Sequence, residues 1–217
     1  MSILVHKYGG TSMGSTERIR NVAKRVAKWV RAGHQLVVVP SAMSGETNRL
    51  IALAKEVQAQ PDPRELDVMV STGEQVTIAL LSMALMDIGL KARSYTGGQV
   101  KILTDSAYTK ARIVKIDEER MRRDLESGHI VVVAGFQGED EGGSITTLGR
   151  CGSDTTGVAL HGYVDGPGAT ARFSRPAHLA LETTGGTDAQ GNPVGELRNL
   201  LVWDDGNHVV RRINPRF

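Results

Sequence analysis

Leu36-Val37-Val38-Val39 and Ile130-Val131-Val132-Val133-Ala134 are apolar at every position. A strand of that pattern has no face to offer water, so both faces must be covered, as in the parallel sheet of an α/β fold. A shorter apolar run, Ile3 to Val5, opens the chain. Between it and Leu36, the residues Ile19, Val22, Ala23, Val26 and Val30 recur at helical spacing. Ser15 stands where an N-cap belongs and Gly33 where such a helix would stop. Strand, helix and strand within the first 40 residues make a β-α-β unit.

The middle of the chain continues the alternation. Leu50 to Val57 has a helical pattern, and Pro61 and Pro63 then punctuate. Leu66, Val68, Met69 and Val70 lead into Ser71-Thr72-Gly73-Glu74, and Gln75 to Ile88 reads as a mostly buried helix with Met83 and Met86 as core filler. Ala92 to Tyr95 and Ile113 to Ile116 read as strands, and Asp117 as the cap of a charged surface helix that ends at Gly128. The expected fold is an open, mostly parallel sheet with helices on both faces.

The composition changes after Leu160. Four of the seven prolines (Pro167, Pro176, Pro193 and Pro215) fall there, and helical periodicity stops. Short candidate strands at Leu179 to Leu181, Leu200 to Trp203 and Val209 to Ile213, separated by turn residues, predict an antiparallel β tail. The expected division is a domain over 1–160 and a tail over 161–217.

Composition excludes some classes of function. Lysine and arginine number 26 against 24 acidic residues, which gives no electrostatic field for nucleic acid or a membrane surface. The single cysteine, Cys151, rules out an internal disulfide framework and suits a reducing, cytoplasmic compartment. The N-terminus lacks the basic flank and long apolar core of a signal peptide, and no stretch reads as a membrane span. The six histidines show no spacing suited to a metal pair, and His6 reads as a strand residue with a satisfied ring.

Lys7-Tyr8-Gly9-Gly10-Thr11-Ser12 follows the first strand and precedes a helix. Lys7 offers a point charge to phosphate oxygens, the glycines let backbone approach an anion, and a helix start offers N–H groups. Three more loops follow strands or open a helix: Ser41 to Asn48, Gly135 to Gly138, and Gly149 to Asp154. In a doubly wound sheet such loops converge on one crevice. Their lysine, arginine, aspartate and hydroxyls suit phosphoryl transfer, where positioning and charge stabilisation do most of the catalysis. Arg150 is placed to grip a carboxylate through paired hydrogen bonds. Asp154 has three readings: orienting the nucleophile, helping to hold a magnesium-bound nucleotide, or capping its helix.

Residues 1 to about 160 resemble the N-terminal part of an aspartate kinase, within the amino-acid kinase superfamily. The resemblance rests on Lys7 to Ser12, on Ser41-Ala42-Met43-Ser44-Gly45-Glu46-Thr47-Asn48, on Ser71-Thr72-Gly73-Glu74-Gln75, and on Thr147-Leu148-Gly149-Arg150-Cys151-Gly152-Ser153-Asp154-Thr155. Kinases of acetylglutamate or uridylate are expected to differ in the first and third of these. The resemblance implies transfer of the γ-phosphoryl of magnesium ATP to the side-chain carboxylate of L-aspartate, the first step toward lysine, threonine and methionine. It makes Lys7 and Asp154 the catalytic pair, with Gly9, Gly10 and Ser12 cradling phosphate. It assigns Thr47, Glu74, Arg150 and Ser153 to aspartate, with Glu74 near the ammonium and Arg150 on a carboxylate. Glycine is expected where Cys151 stands.

The nucleotide-binding half and the regulatory domains that the resemblance implies are not recognisable, so weak or absent turnover is expected. Asp165 to Phe173, Arg175 to Ala180 and Asp205 to Ile213 instead resemble one NHL repeat, the blade unit of β-propellers, with an insertion around Thr183 to Leu197. The alternative function is therefore a non-catalytic fusion or fragment whose tail acts in binding or assembly. Exposed sheet edges are expected to favour a homo-oligomer.

Overall fold

The computed structural model describes residues 3–149, 152–164, 176–183, 197–204 and 209–213. The chain forms two compact units, Met1–Gly166 and Pro167–Phe217.

The first unit opens with β1 (Ile3–Tyr8), α1 (Thr16–Arg31) and β2 (Gln35–Pro40). Ser15 caps α1 by accepting a hydrogen bond from the Arg18 amide, and Gly33 takes the left-handed conformation just past its end at φ +91°. Next come α2 (Glu46–Val57), α3 (Pro63–Asp87) and β3 (Ala92–Tyr95). A short 3-10 turn precedes β4 (Ile102–Thr104), and β5 (Ile113–Ile116), α4 (Glu119–Glu126) and β6 (Ile130–Val133) follow. The unit ends with β7 (Gln137–Glu139), β8 (Ile145–Thr147) and α5 (Gly152–Val164).

The apolar strands form the sheet that their composition demands. Its order is β1-β2-β6-β3, and every pairing is parallel. Alternate residues of each strand serve opposite faces. Leu36, Val38, Ile130 and Val132 pack with Ile19, Val22, Ala23 and Val26 of α1 and Ile78, Leu81 and Leu85 of α3. Val37, Val39, Val131 and Val133 face the other way, onto Met121 and Leu125 of α4 and Ala159 and Leu160 of α5. Helices therefore cover both faces, as the sequence predicts.

Two features depart from the sequence reading. The helix expected from Gln75 starts twelve residues earlier, at Pro63, capped by Asp62, so Ser71 to Glu74 lie inside it. At 25 residues, with an 18-residue window of mean hydropathy 1.4, α3 is long and apolar enough to cross a membrane. Its packing against α1 and the sheet makes it a core helix here. Met83 and Met86 are not core filler: they are exposed, with Val76, along the outer side of α3. The second departure is an additional sheet, β5-β4-β7-β8, in which β4 and β7 run parallel and the outer pairs are antiparallel.

The second unit contains β9 (Pro176–Thr183), β10 (Leu197–Asp204) and β11 (Val209–Ile213), an antiparallel sheet in the order β11-β10-β9. All three expected tail strands are present, longer than predicted for β9 and β10. The expected turns between them, with Asp165 to Phe173, lie outside the described residues.

Candidate active site

Three loops leave the carboxyl ends of β1, β2 and β6, and the start of α5 meets them. Lys7 is the penultimate residue of β1, and its Nζ lies 2.7 Å from Asp154 Oδ1 on the first turn of α5. Both side chains are partly exposed, 28% and 31%, so the pair borders solvent. A Cβ added at Gly157 would sit 3.4 Å from Lys7 Cβ, which places Gly157 and Asp154 on the face of α5 toward β1.

The loop after β1 is compact. The amides of Ser12 and Met13 donate to the carbonyls of Gly9 (2.9 Å) and Gly10 (3.1 Å). Those two N–H groups close turns within the loop and are not aimed outward. Gly10 is needed for a close approach: a Cβ there would stand 3.0 Å from the Ala42 carbonyl oxygen. The loops after β1 and β2 therefore pack directly on each other.

Ser41, at the exit of β2, joins several segments. Its amide donates to the Tyr8 carbonyl at 2.8 Å, and its hydroxyl lies 2.8 Å from that of Ser153 on α5. The loop after β6 reaches the same place, since a Cβ added at Gly135 would lie 2.8 Å from both Ser153 Cβ and Val39 Cγ1. Phe136, at φ +69°, donates its amide to Thr156 Oγ1 at 3.1 Å. Gly135→Ala is accordingly expected to cost about 1–3 kcal/mol by overpacking, read as a lower urea midpoint.

Glu74 reaches the site from α3. It is 4% exposed, and Oε1 accepts a hydrogen bond of 3.1 Å from the Ala42 amide. Oε2 is buried and has no hydrogen-bond partner among the described residues. Burial pushes this carboxyl up to about 7, with the Ala42 hydrogen bond pulling the other way. Adjacent residues of one loop, Ser41 and Ala42, thus touch Ser153 and Glu74 respectively. Gly73 admits that loop: a Cβ there would lie 3.0 Å from Ala42 Cβ.

Of the residues named from sequence, the structure brings together Lys7, Gly9, Gly10, Ser153 and Asp154, with Glu74 joined through Ala42. Ser12 is exposed at the edge of the same loop, and Thr47 is half-buried in the first turn of α2. Arg150 and Cys151 lie outside the described residues. Sequence reading missed the contacts made by Ser41 and Gly135, though both directly follow or closely trail apolar strands where ligand loops belong. His6 stands away from this chemistry: its ring lies 3.4 Å from the Tyr8 hydroxyl and edge-on to Trp29, and burial lowers its pKa.

A buried carboxylate with one free oxygen can receive an ammonium group. A lysine–aspartate pair beside glycine turns can hold and polarise a phosphoryl group. Residues 2–165 match the amino acid kinase family. An aspartate kinase of Stutzerimonas stutzeri is 68% identical over 160 residues, covering 74% of this chain and 39% of its own length. An aspartokinase of Thermus thermophilus is 45% identical over 202 residues, 93% of this chain and 48% of its own. The crystal structure of aspartate kinase from Synechocystis superimposes with a TM-score of 0.66 at 44% identity, over 76% of this chain and 26% of that one. E. coli aspartokinase III, solved with aspartate and ADP, shares the fold at a TM-score of 0.66 and 23% identity, over 76% of this chain and 47% of its own. The chain spans about two fifths of the length of the first of these curated relatives.

Proposed function

The chain belongs to the amino acid kinase family, and from that premise we propose that it forms the acceptor side of an aspartate kinase-type phosphotransferase. Such an enzyme moves the γ-phosphoryl of ATP, bound with Mg2+, to the side-chain carboxylate of L-aspartate. The observation that carries this reading is Glu74, a buried carboxylate with one oxygen unpartnered among the described residues, joined through a single loop to the Lys7–Asp154 pair. Similarity to aspartate kinases supports the choice of substrate.

Glu74 takes the substrate ammonium at Oε2, with Thr47 and Ser153 completing the pocket and Arg150 holding a carboxylate. The substrate carboxylate itself attacks phosphorus, so no protein nucleophile is required. Lys7 stabilises charge on the phosphoryl oxygens as transfer proceeds, and Asp154 holds the Lys7 ammonium in place. Gly9 and Gly10 let the backbone lie close to the phosphate, and Ser12, exposed on the same loop, offers its hydroxyl. A cytoplasmic setting follows from this role.

The chain matches under half of its relatives' length, so residues from outside it are expected to hold much of the nucleotide. Alone it should form aspartyl phosphate more slowly than about 1 per second, a rate ordinary for enzymes. Hydroxylamine trapping with magnesium ATP and L-aspartate measures this directly. A slow signal that needs L-aspartate supports the proposal, and a signal that does not need it overturns it.

The antiparallel order β11-β10-β9 keeps a second reading in view, in which the tail is a propeller-type blade used for assembly. A match of 202 residues necessarily runs past residue 165, which favours a kinase origin for part of that tail. If the chain self-associates, β1 and β3, the outer strands of the parallel sheet, are the edges to test.

A further inference from the structure

Asp67 lies on α3, seven residues before Glu74 and so on nearly the same side of the helix. It is fully buried, and its carboxylate accepts three hydrogen bonds. Oδ2 takes the amides of Thr147 at 2.8 Å and Thr109 at 2.9 Å, and Oδ1 takes the Thr147 hydroxyl at 2.6 Å. All of these donors are neutral and belong to segments remote in sequence. Burying a carboxylate is costly unless hydrogen bonds satisfy it, and these three offset much of that cost.

The partners control what lies downstream. Thr147 is the last residue of β8. The Leu148 amide then donates to the Phe136 carbonyl at 2.9 Å, and the Gly152 amide to that of Gly149 at 3.1 Å, where α5 begins with Ser153 and Asp154 beside it. Thr109 holds a left-handed conformation, φ +66°, which is strained for a β-branched residue. A Cβ added at Gly149 would be 3.2 Å from the Thr109 carbonyl oxygen, and the Ala111 amide donates to the Thr147 carbonyl at 2.8 Å. The exit of β8 is thereby clamped to α3 from both sides.

We propose that Asp67 is a positioning residue for the acceptor site. It fixes the helix that carries Glu74 against the segment that delivers Ser153 and Asp154, and so sets the spacing between the ammonium site and the Lys7–Asp154 pair. The inference rests on the reading of that site given above.

Asp67→Asn presents an NH2 group to one of the three donors, and Thr147→Val removes only the hydroxyl bond while keeping shape. Leu85→Ala, in the core at the far end of α3, serves as a control that lowers stability without touching the clamp. Amide hydrogen exchange and L-aspartate affinity are measured on the full chain, at a temperature where circular dichroism shows each variant folded. In Asp67→Asn, protection at Leu148 and Gly152 should fall roughly tenfold more than at Val37 to Val39. Affinity for L-aspartate should fall roughly tenfold or more. Thr147→Val should shift both in the same direction by less, and decides the matter if Asp67→Asn does not fold. Leu85→Ala should lower protection evenly and leave affinity unchanged. Uniform loss of protection with unchanged affinity in the Asp67 and Thr147 variants overturns the proposal. Failure of the wild-type chain to bind L-aspartate overturns the acceptor-site reading instead, while exchange at Leu148 and Gly152 still decides whether Asp67 organises the start of α5.

Discussion

Glu74→Gln is expected to stabilise the chain above neutral pH and at the same time to abolish tight binding of L-aspartate. The native carboxyl titrates near 7, against 4.5 for the free group. Below the lower value Glu74 is protonated in the folded and unfolded states alike, and burial costs nothing extra. As pH rises through the window between the two values, the unfolded chain loses its proton first, so the wild type loses stability until the folded group also ionises. The full loss amounts to about 3 kcal/mol. Glutamine stays neutral throughout, and its carbonyl can still accept from the Ala42 amide. Urea unfolding at about pH 5 and about pH 8 should therefore show the variant gaining on the wild type as pH rises. Parallel pH dependence of the two proteins would contradict the account. Binding runs the other way. An ammonium ligand favours the ionised carboxylate, so wild-type affinity should increase up to about tenfold per pH unit below neutrality and level off above it. Glu74→Gln should show neither the affinity nor the slope.

Lys7→Met should reduce aspartyl phosphate formation by about 100-fold or more, since it removes a charge directed at the transferring group. Methionine keeps an unbranched stem against Gly157, so packing along α5 is retained. The lost ion pair borders solvent, and pairs of that kind contribute about 0–1 kcal/mol. Removing Lys7 also leaves the Asp154 carboxylate uncompensated where phosphate oxygens must approach. A large loss of product with a nearly unchanged urea midpoint is the expected pattern. Equal losses of activity and stability would make Lys7 a structural residue and remove it from the chemistry.

How much of this was legible in the sequence differs from one element to another. β2 and β6 were readable because every position is apolar, a pattern that only a doubly covered strand satisfies. Ser15 and Gly33 marked the ends of α1 through capping chemistry that is local to the chain. α3 was misread because Ser71, Thr72 and Gly73 are poor helix formers. There the Ser71 and Thr72 hydroxyls donate to the carbonyls of Val68 and Met69, and Gly73 is required by the close passage of Ala42. Tertiary packing overrides propensity at that point. β4, β7 and β8 have three residues each, too few for a period to show. Gly138 in β7 also breaks any apolar pattern, and it must be glycine because a Cβ would lie 2.5 Å from Thr104 Cγ2.

The candidate site divides along the same line. Lys7, Ser153 and Asp154 stood out because loop motifs carry them, whereas the 2.7 Å pairing of Lys7 with Asp154 spans most of the kinase-like unit and leaves no local trace. Ser41 acts through a hydrogen bond to a residue 112 positions away and Asp67 through one to a residue 80 positions away, so both are invisible to spacing. Glu74 was named by resemblance, but its buried oxygen without a partner among the described residues, the property that suits it to an ammonium, is a product of folding alone.

The most direct test is calorimetric titration of L-aspartate into the folded chain near neutral pH, beside titrations of Glu74→Gln and of succinate, which lacks the ammonium. Saturable binding of L-aspartate to the wild type, lost in Glu74→Gln and much weaker for succinate, is the predicted result. Absence of L-aspartate binding by folded wild-type protein, or equal binding by Glu74→Gln, would contradict the assignment of this crevice to an amino-acid acceptor.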